Sequence, residues 1–407
     1  MTEDVLEIIN RAIKKADPFE NTARIIEKLE LSAGGRLAVM SIGKAAVPMA
    51  KAAQKVLGSK INCGLLVTKY DHAKGFSSNR FEVIEAAHPV SDENSIRAAE
   101  KGLEIARSLK ENDVLLVLLS GGGSALFEKS SVTPEKQRSI TQKLLSRGAS
   151  IDEMNAVRRR LSLVKGGRLA AAAYPAKVIT VALSDVLGND KSVIASGITV
   201  PEPLSPQEVR RVILKYLPEE EETLLSVLSE GAKLKINDGG YYFAGNVEML
   251  CDAAEEEAKK LGYTVRVRDC SLCGEARDAA ESIIKNALGE KGKNAYIYGG
   301  ETTVTLKGNG LGGRNQEMAL CAAILLKGKS GIVFASAGSD GTDGPTDAAG
   351  GFADGSTFEK IQNGGSEPVA ALENNDSYHA LKSGGALLIT GPTGTNVNDL
   401  TVILTDL

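Results

Sequence analysis

The sequence predicts two α/β domains, the first built on a mostly parallel sheet, and three observations predict it. Apolar, β-rich runs alternate with runs of helical period, which is the rhythm of βαβ units. The run 114–119 reads VLLVLL, apolar at every position, as expected of a strand covered on both faces. Glycine fills 43 of the 407 positions, above the usual ~7%. The excess gathers in short clusters just after apolar runs, where turns meet ligands.

The elements follow in order. Residues 1–17, MTEDVLEIINRAIKKAD, are acidic and amphipathic and read as a helix, not a secretory signal. A strand over 37–42 leads into a helix over 45–57, and strands follow at 64–68 and 81–86. The helix over 94–109 sets Ile96, Ala99, Leu103 and Ala106 on one face. Strands at 114–119 and 178–183 extend the sheet. The run Glu219-Glu220-Glu221-Glu222 reads as a solvated helix face. A polar, glycine-containing stretch then sets a boundary near 235. This gives a larger, Rossmann-like N-terminal domain over 1–235 and a smaller C-terminal α/β domain over 236–407. The second domain reads as a helix at 247–261, a strand at 264–268, a helix at 276–287 and a strand at 295–298. A hairpin-like strand at 302–306, a helical run at 315–320 and strands at 332–335, 386–389 and 400–404 complete it.

Composition narrows the function. With 43% hydrophobic and 25% charged residues, the chain has ordinary soluble composition. A net charge of −4, no Trp and 4% aromatic residues argue against a nucleic-acid surface or a base-stacking platform. No apolar run approaches the ~20 residues of a membrane span, so the expected setting is the cytoplasm. Five cysteines suit a reducing compartment. The Cys270-Ser271-Leu272-Cys273 spacing lacks a second pair or a nearby His, so these read as structural thiols.

Six clusters could carry chemistry. In Ser41-Ile42-Gly43-Lys44-Ala45, a lysine stands where a helix opens, among free amides, and an anionic ligand would explain it. It is not a Walker loop, because Ala38 and Ala45 stand where Gly and Ser/Thr are needed. In Ser120-Gly121-Gly122-Gly123-Ser124, three glycines follow a buried strand, as an anion cradle requires. The basic segment Arg158-Arg159-Arg160 leads to Lys165-Gly166-Gly167-Arg168 and can turn one or two cations toward a ligand. Asp185 and Asp190 lie just beyond a strand's carboxyl end, where they could hold Mg²⁺ or accept a hydroxyl proton. Gly299-Gly300-Glu301 follows another strand, and the small polar run 336–347 follows the next. His88 follows a strand and could enter a site, but no Ser-His-Asp arrangement suggests itself.

The most informative stretch is Gly308-Asn309-Gly310-Leu311-Gly312-Gly313-Arg314. Residues 308–313 fit the G-x-G-x-x-G turn of dinucleotide sites, between a strand-like and a helix-like run. Such a turn works through amides and the helix dipole and has no need of Arg314. The acidic residue expected ~20 positions on is missing, since 332–336 reads IVFAS. A cation beside an amide-lined turn suits a phosphoryl group in transfer.

Taken together, Ser41-Ile42-Gly43-Lys44-Ala45, Leu119-Ser120-Gly121-Gly122-Gly123-Ser124-Ala125-Leu126, Val164-Lys165-Gly166-Gly167-Arg168-Leu169-Ala170, Ser184-Asp185-Val186, Gly299-Gly300-Glu301-Thr302-Thr303-Val304 and Gly312-Gly313-Arg314-Asn315-Gln316-Glu317 resemble the class II glycerate kinases, glycerate 2-kinases with a MOFRL-type C-terminal domain. The likeness spans nearly the whole chain and keeps the family's order. The resemblance implies two α/β domains with the active site in a cleft between them. It implies transfer of a phosphoryl group from ATP, with Mg²⁺ or another divalent cation, to the 2-hydroxyl of D-glycerate. Its key lysine corresponds to Lys44 and its key arginine to Arg314. The expected assignment is then Lys44, Ser120, Gly121, Gly122, Gly123, Ser124 and Arg168 on substrate. Lys165, Gly299, Gly300, Glu301, Gly312, Gly313 and Asn315 are expected on nucleotide, and Asp185 and Asp190 on metal. Partners are small molecules, with homodimerisation left open. The rival readings are an NAD(P)-dependent hydroxypyruvate reductase, favoured by the glycine turn, and a non-catalytic binding protein for an anionic metabolite.

Overall fold

A computed structural model describes residues 1–31, 34–221, 224 and 234–407. The first sheet comprises β1 (Leu37–Ile42), β2 (Ile61–Lys69), β3 (Phe81–Ala86), β4 (Val114–Leu119), β5 (Lys177–Leu183) and β6 (Asn237–Gly245), in the order β3-β2-β1-β4-β5-β6. The pairs β1–β2, β2–β3, β1–β4 and β4–β5 are parallel. β1 and β4 are buried at every residue, as their apolar runs required. The chain builds outward from β1 to β2 and β3, then returns to the other side of β1 for β4. That reversal is a topological switch point, and it sets the carboxyl ends of β1 and β4 side by side, with Ile42 opposite Leu119. Helices Ala46–Leu57 and Glu93–Arg107 are crossovers of this sheet, and Asp92 and Ser95 close a capping box at the second.

The second sheet comprises β7 (Thr264–Leu272), β8 (Lys293–Gly300), β9 (Ile332–Gly338), β10 (Gly350–Asp354), β11 (Leu387–Leu388) and β12 (Asp399–Asp406), ordered β11-β10-β9-β12-β8-β7. It is mixed: β7–β8 is parallel, while β12 runs antiparallel to both β8 and β9. Its core packs Tyr296, Phe334 and Ile403 against Met318 and Leu320 of helix Arg314–Leu325. That helix is buried at every position from Asn315 to Ala323, so it lacks a polar face.

Contacts gather the chain into two units. One takes Met1–Asp17, Ser184–Asn189 and Gly245–Leu407, and the other takes Pro18–Leu183 and Asp190–Ala244. A single cut near 235 differs from this division at three places: residues 1–17, 184–189 and 236–244. The first helix, Thr2–Lys15, buries Val5, Ile8, Ile9 and Ala12 within the unit that holds the second sheet, where Tyr263 donates to Asp4 at 2.5 Å. Its amphipathic pattern demanded a partner surface without saying which. Strand β6, read as part of a boundary, extends the first sheet.

Three local expectations change. Residues 302–306 form no strand beyond one bridge between Thr303 and Glu275, and Thr305 N–H donates to the Glu275 carboxylate. Glu220 is not solvated but buried between Lys136 and Lys143, while Glu222 lies outside the described residues. The cysteines are not uniformly buried, because Cys273 is exposed and Cys270 partly so. Among the described residues no helix is long and apolar enough to cross a membrane.

Candidate active site

The switch point of the first sheet gathers one cluster. The turn after β1 must pass close against the turn after β4. A β-carbon on Gly43 would lie 2.2 Å from Ser120 Oγ, and its φ is +129°, so only glycine fits. Lys44 N–H donates to Gly121 O at 2.9 Å, and Ala45 N–H donates to Ser120 Oγ at 3.0 Å. Ser120 therefore serves the first turn's backbone and is itself buried. Gly122, at φ +87°, curls the second turn, and a β-carbon there would lie 3.1 Å from the His88 ring and 3.3 Å from Lys44 Cγ. Lys44 is half-buried and has no ion-pair partner among the described residues. The imidazole of His88 is held below its usual pKa by burial and by the charges of Lys44 and Lys69, so it is neutral at pH 7. Lys44, the glycine turn, Ser124 and His88 are thus brought together. The role of His88 escaped a firm reading because only the β3–β2–β1 order places it beside Gly122.

The basic segment is not brought to this place. Lys165 is fully buried, with its ammonium against the buried Glu128 carboxylate, to which Ser162 Oγ also donates at 2.8 Å. Arg168 donates to the carbonyls of Arg159 at 3.0 Å and Lys165 at 3.2 Å, closing the end of helix Ile151–Leu161. Arg159 pairs with Glu202. Lys165, expected on nucleotide, and Arg168, expected on substrate, are each engaged by their own fold in the structure. Lys165→Met strands a buried carboxylate and should cost about 3–5 kcal/mol of stability. Urea unfolding reads that loss, while the KM for nucleotide should stay unchanged. A raised KM with unchanged stability would restore the original assignment.

The unit that holds the second sheet carries a cluster of its own around Arg314, the first residue of its helix. Nε donates to Asp399 Oδ2 at 2.5 Å and an Nη to Asp399 Oδ1 at 2.9 Å, a two-toothed fork. The remaining Nη faces Glu301 Oε1 at 2.9 Å, and a third of the side chain stays exposed. Burial, with Asp343 and Glu301 nearby, pushes the Asp399 carboxyl up to about 6. With its pKa raised from 3.8, Asp399 is ionised only above that value, so the fork needs a pH above about 6. Turnover should fall as pH drops through about 6, and the limb should persist in His88→Asn. A flat pH–rate profile down to pH 5 would contradict this.

The glycines of the 308–313 turn are explained without a dinucleotide. β-carbons at Gly308 and Gly310 would lie 2.3–2.4 Å from Asn374 and Asp376, and at Gly312 2.1 Å from Ser377 Oγ. The turn's amides are engaged too. Gly310 N–H donates to Asn374 O at 2.9 Å, and Leu311 N–H to Asp376 Oδ1 at 3.0 Å. The helix start is capped by Asp343, which accepts from Asn315 N–H at 3.2 Å and Gln316 N–H at 2.8 Å. A β-carbon on Gly313 would meet that same carboxylate. Gly300 closes on Leu272 O, and Gly299 packs on Cys251. Gly299, Gly300, Gly312, Gly313 and Asn315, expected on nucleotide, each lie close against their own chain in the structure. Glu301 keeps its place beside Arg314, but as a carboxylate it suits a cation and not a phosphate.

Asp399 and Asn398 were missed, because they come from β12 and the loop before it, distant in sequence, whereas Asp343 lay within the polar run 336–347. Asn398 is buried at φ +68°, and its amide nitrogen donates to Asp185 O at 2.9 Å and Glu301 Oε2 at 3.3 Å. This fixes the amide and leaves its Oδ1 buried with no hydrogen-bond partner. A buried oxygen without a donor, beside Asp185 and Glu301, is the donor chemistry of a hard divalent cation. Asp190 fits less well, since its Oδ1 accepts from both Ser192 N–H at 2.8 Å and Ser192 Oγ at 2.7 Å.

Residues 4–229 match the model of a domain of unknown function, DUF4147, and residues 294–399 match the MOFRL family. The chain is 46% identical over 406 residues to the D-glycerate 2-kinase of Thermotoga maritima, covering 98% of this chain and 96% of that one. It is 37% identical to the glycerate 2-kinase of Pyrococcus horikoshii, again covering 98% and 96%. A crystal structure of glycerate kinase from Thermotoga maritima superposes with a TM-score of 0.94, covering 99% of each chain.

Proposed function

Since the chain belongs to the glycerate 2-kinase family with a MOFRL C-terminal domain, we propose how its own residues carry that family's reaction. The protein is an ATP-dependent kinase that phosphorylates D-glycerate at the 2-hydroxyl, giving 2-phosphoglycerate and ADP. Phosphoryl transfer leaves little covalent work for a protein, so positioning and charge compensation dominate. Lys44 and the turn 120–124 suit the carboxylate of glycerate, a compact cation and a glycine turn for a compact anion. The neutral His88 beside them can accept the hydroxyl proton. Arg314, aimed by Asp399, offsets charge on the phosphoryl as it transfers.

The observation that carries this reading is the Arg314 fork with part of the guanidinium left exposed. One arginine among Asp399, Glu301 and Asp343 leaves the cluster net negative, so nucleotide phosphates need a cation there. We assign Mg²⁺ or another divalent cation to Asp185, Asn398 Oδ1 and Glu301, where it would offset the charge of the ATP phosphates. The reductase reading loses its support, because the turn that suggested it gives its amides to Asn374, Asn375 and Asp376. Purified protein with D-glycerate, ATP and Mg²⁺ should release ADP and one phosphoglycerate isomer. NADH oxidation with hydroxypyruvate and no ADP would overturn the proposal.

A further inference from the structure

Three consecutive residues beside the glycine turn adopt left-handed backbone: Ala195 at φ +47°, Ser196 at +55° and Gly197 at +62°. Two of them carry a β-carbon, which makes this conformation costly. The fold holds it firmly. Ser196 N–H donates to Val193 O at 2.8 Å and Gly197 N–H to Ile194 O at 2.9 Å. From the other side, Gly166 N–H donates to Ser196 O at 3.2 Å and Gly167 N–H to Gly197 O at 2.7 Å. The glycine pair of the basic segment thus clamps this turn. Ala195 is pressed onto the cradle, since a β-carbon on Gly123 would lie 2.9 Å from its own.

The outcome of this effort is one contact: Ser196 Oγ lies 2.8 Å from Ser124 Oγ. Both side chains are only half-buried, so water could satisfy either and solvation does not require the pairing. Glycine at 195 and 196 would relieve the strain, yet the chain keeps a hydroxyl at 196. Strain held by its surroundings marks a site where geometry serves a ligand.

Resting on the kinase reading above, we propose that Ser196 is a specificity residue whose hydroxyl, paired with that of Ser124, binds the hydroxyl of glycerate that is not phosphorylated. The chemistry selects this group. Once one serine donates to the other, the pair offers one free proton and several lone pairs. A ligand hydroxyl both donates and accepts and can use both, whereas a carboxylate only accepts and is served better by Lys44 and the turn amides. A site built to bond a hydroxyl also rejects a ligand that lacks it.

D-lactate tests the assignment, because it keeps the carboxylate and the 2-hydroxyl and replaces the 3-hydroxyl with hydrogen. Ser196→Ala should raise the KM for D-glycerate about tenfold and leave the inhibition constant of D-lactate unchanged. Ser196→Gly should show the same split with a melting temperature at or above that of the parent, since glycine tolerates the left-handed turn. A parallel rise for both ligands would overturn the proposal, assigning the pair to the carboxylate or the 2-hydroxyl. No change for either, or a KM rise in Ser196→Ala that Ser196→Gly does not share, would overturn it as well. Parent protein without D-glycerate turnover removes the kinase premise itself and the inference with it, which separates the two failures.

Discussion

Arg314→Ala is expected to lower kcat by about a thousandfold, the lower end of what an arginine that offsets phosphoryl charge contributes. The structure adds a second consequence. The truncation leaves Asp399 buried without its fork, and breaking such a pair typically costs about 3–5 kcal/mol. That cost depends on pH in a defined direction. The carboxyl already titrates up to about 6 with Arg314 present, and losing the cation raises it further. A raised carboxyl is neutral, and harmless, at low pH, so the stability deficit of the variant should grow as pH rises from 5 to 8. Arg314→Ala/Asp399→Asn should recover most of the stability at pH 8 and none of the turnover. Recovery of turnover in the double variant would reduce Arg314 to a scaffold residue. Arg314→Lys should restore little, because a point charge cannot make the two-toothed contact with Asp399.

Lys44→Met is the complementary case. With no ion-pair partner for Lys44 among the described residues, the substitution should leave the melting temperature nearly unchanged. It should lower kcat/KM for D-glycerate by about a hundredfold, the scale of one charged donor lost from a reacting site. The KM for ATP should move much less. A large shift confined to ATP would mean that Lys44 serves the nucleotide and not the hydroxy acid.

How much of this was legible in the sequence differs by element. β1 and β4 could be read to the residue, because a strand buried on both faces is apolar throughout. Gly43-Lys44 and the triple glycine could be read as a candidate site because both follow such strands. Their adjacency became certain only with the sheet order, which sequence periodicity does not encode. The 308–313 turn misled for a physical reason. Glycine is required wherever something approaches the backbone closely, and here the approaching groups are Asn374, Asp376 and Ser377 and not a pyrophosphate. The partners of Lys165 and Arg168 were not legible, since a basic residue beside glycines looks the same whether it faces a ligand or its own chain. Asp399 and Asn398 were invisible, being ordinary residues of a closing strand until β12 inserts between β8 and β9. Arg314 stood out in the sequence because it did not belong in the motif that contained it.

The most direct test of the account is a side-by-side assay of the parent chain and Arg314→Ala/Asp399→Asn. Each is supplied with D-glycerate, ATP and Mg²⁺ at pH 8, and the phosphorylated product is read by phosphorus NMR. The parent should give 2-phosphoglycerate, and the double variant should be folded with turnover reduced about a thousandfold. Product at the 3-hydroxyl, or equal turnover by the two proteins, would contradict it.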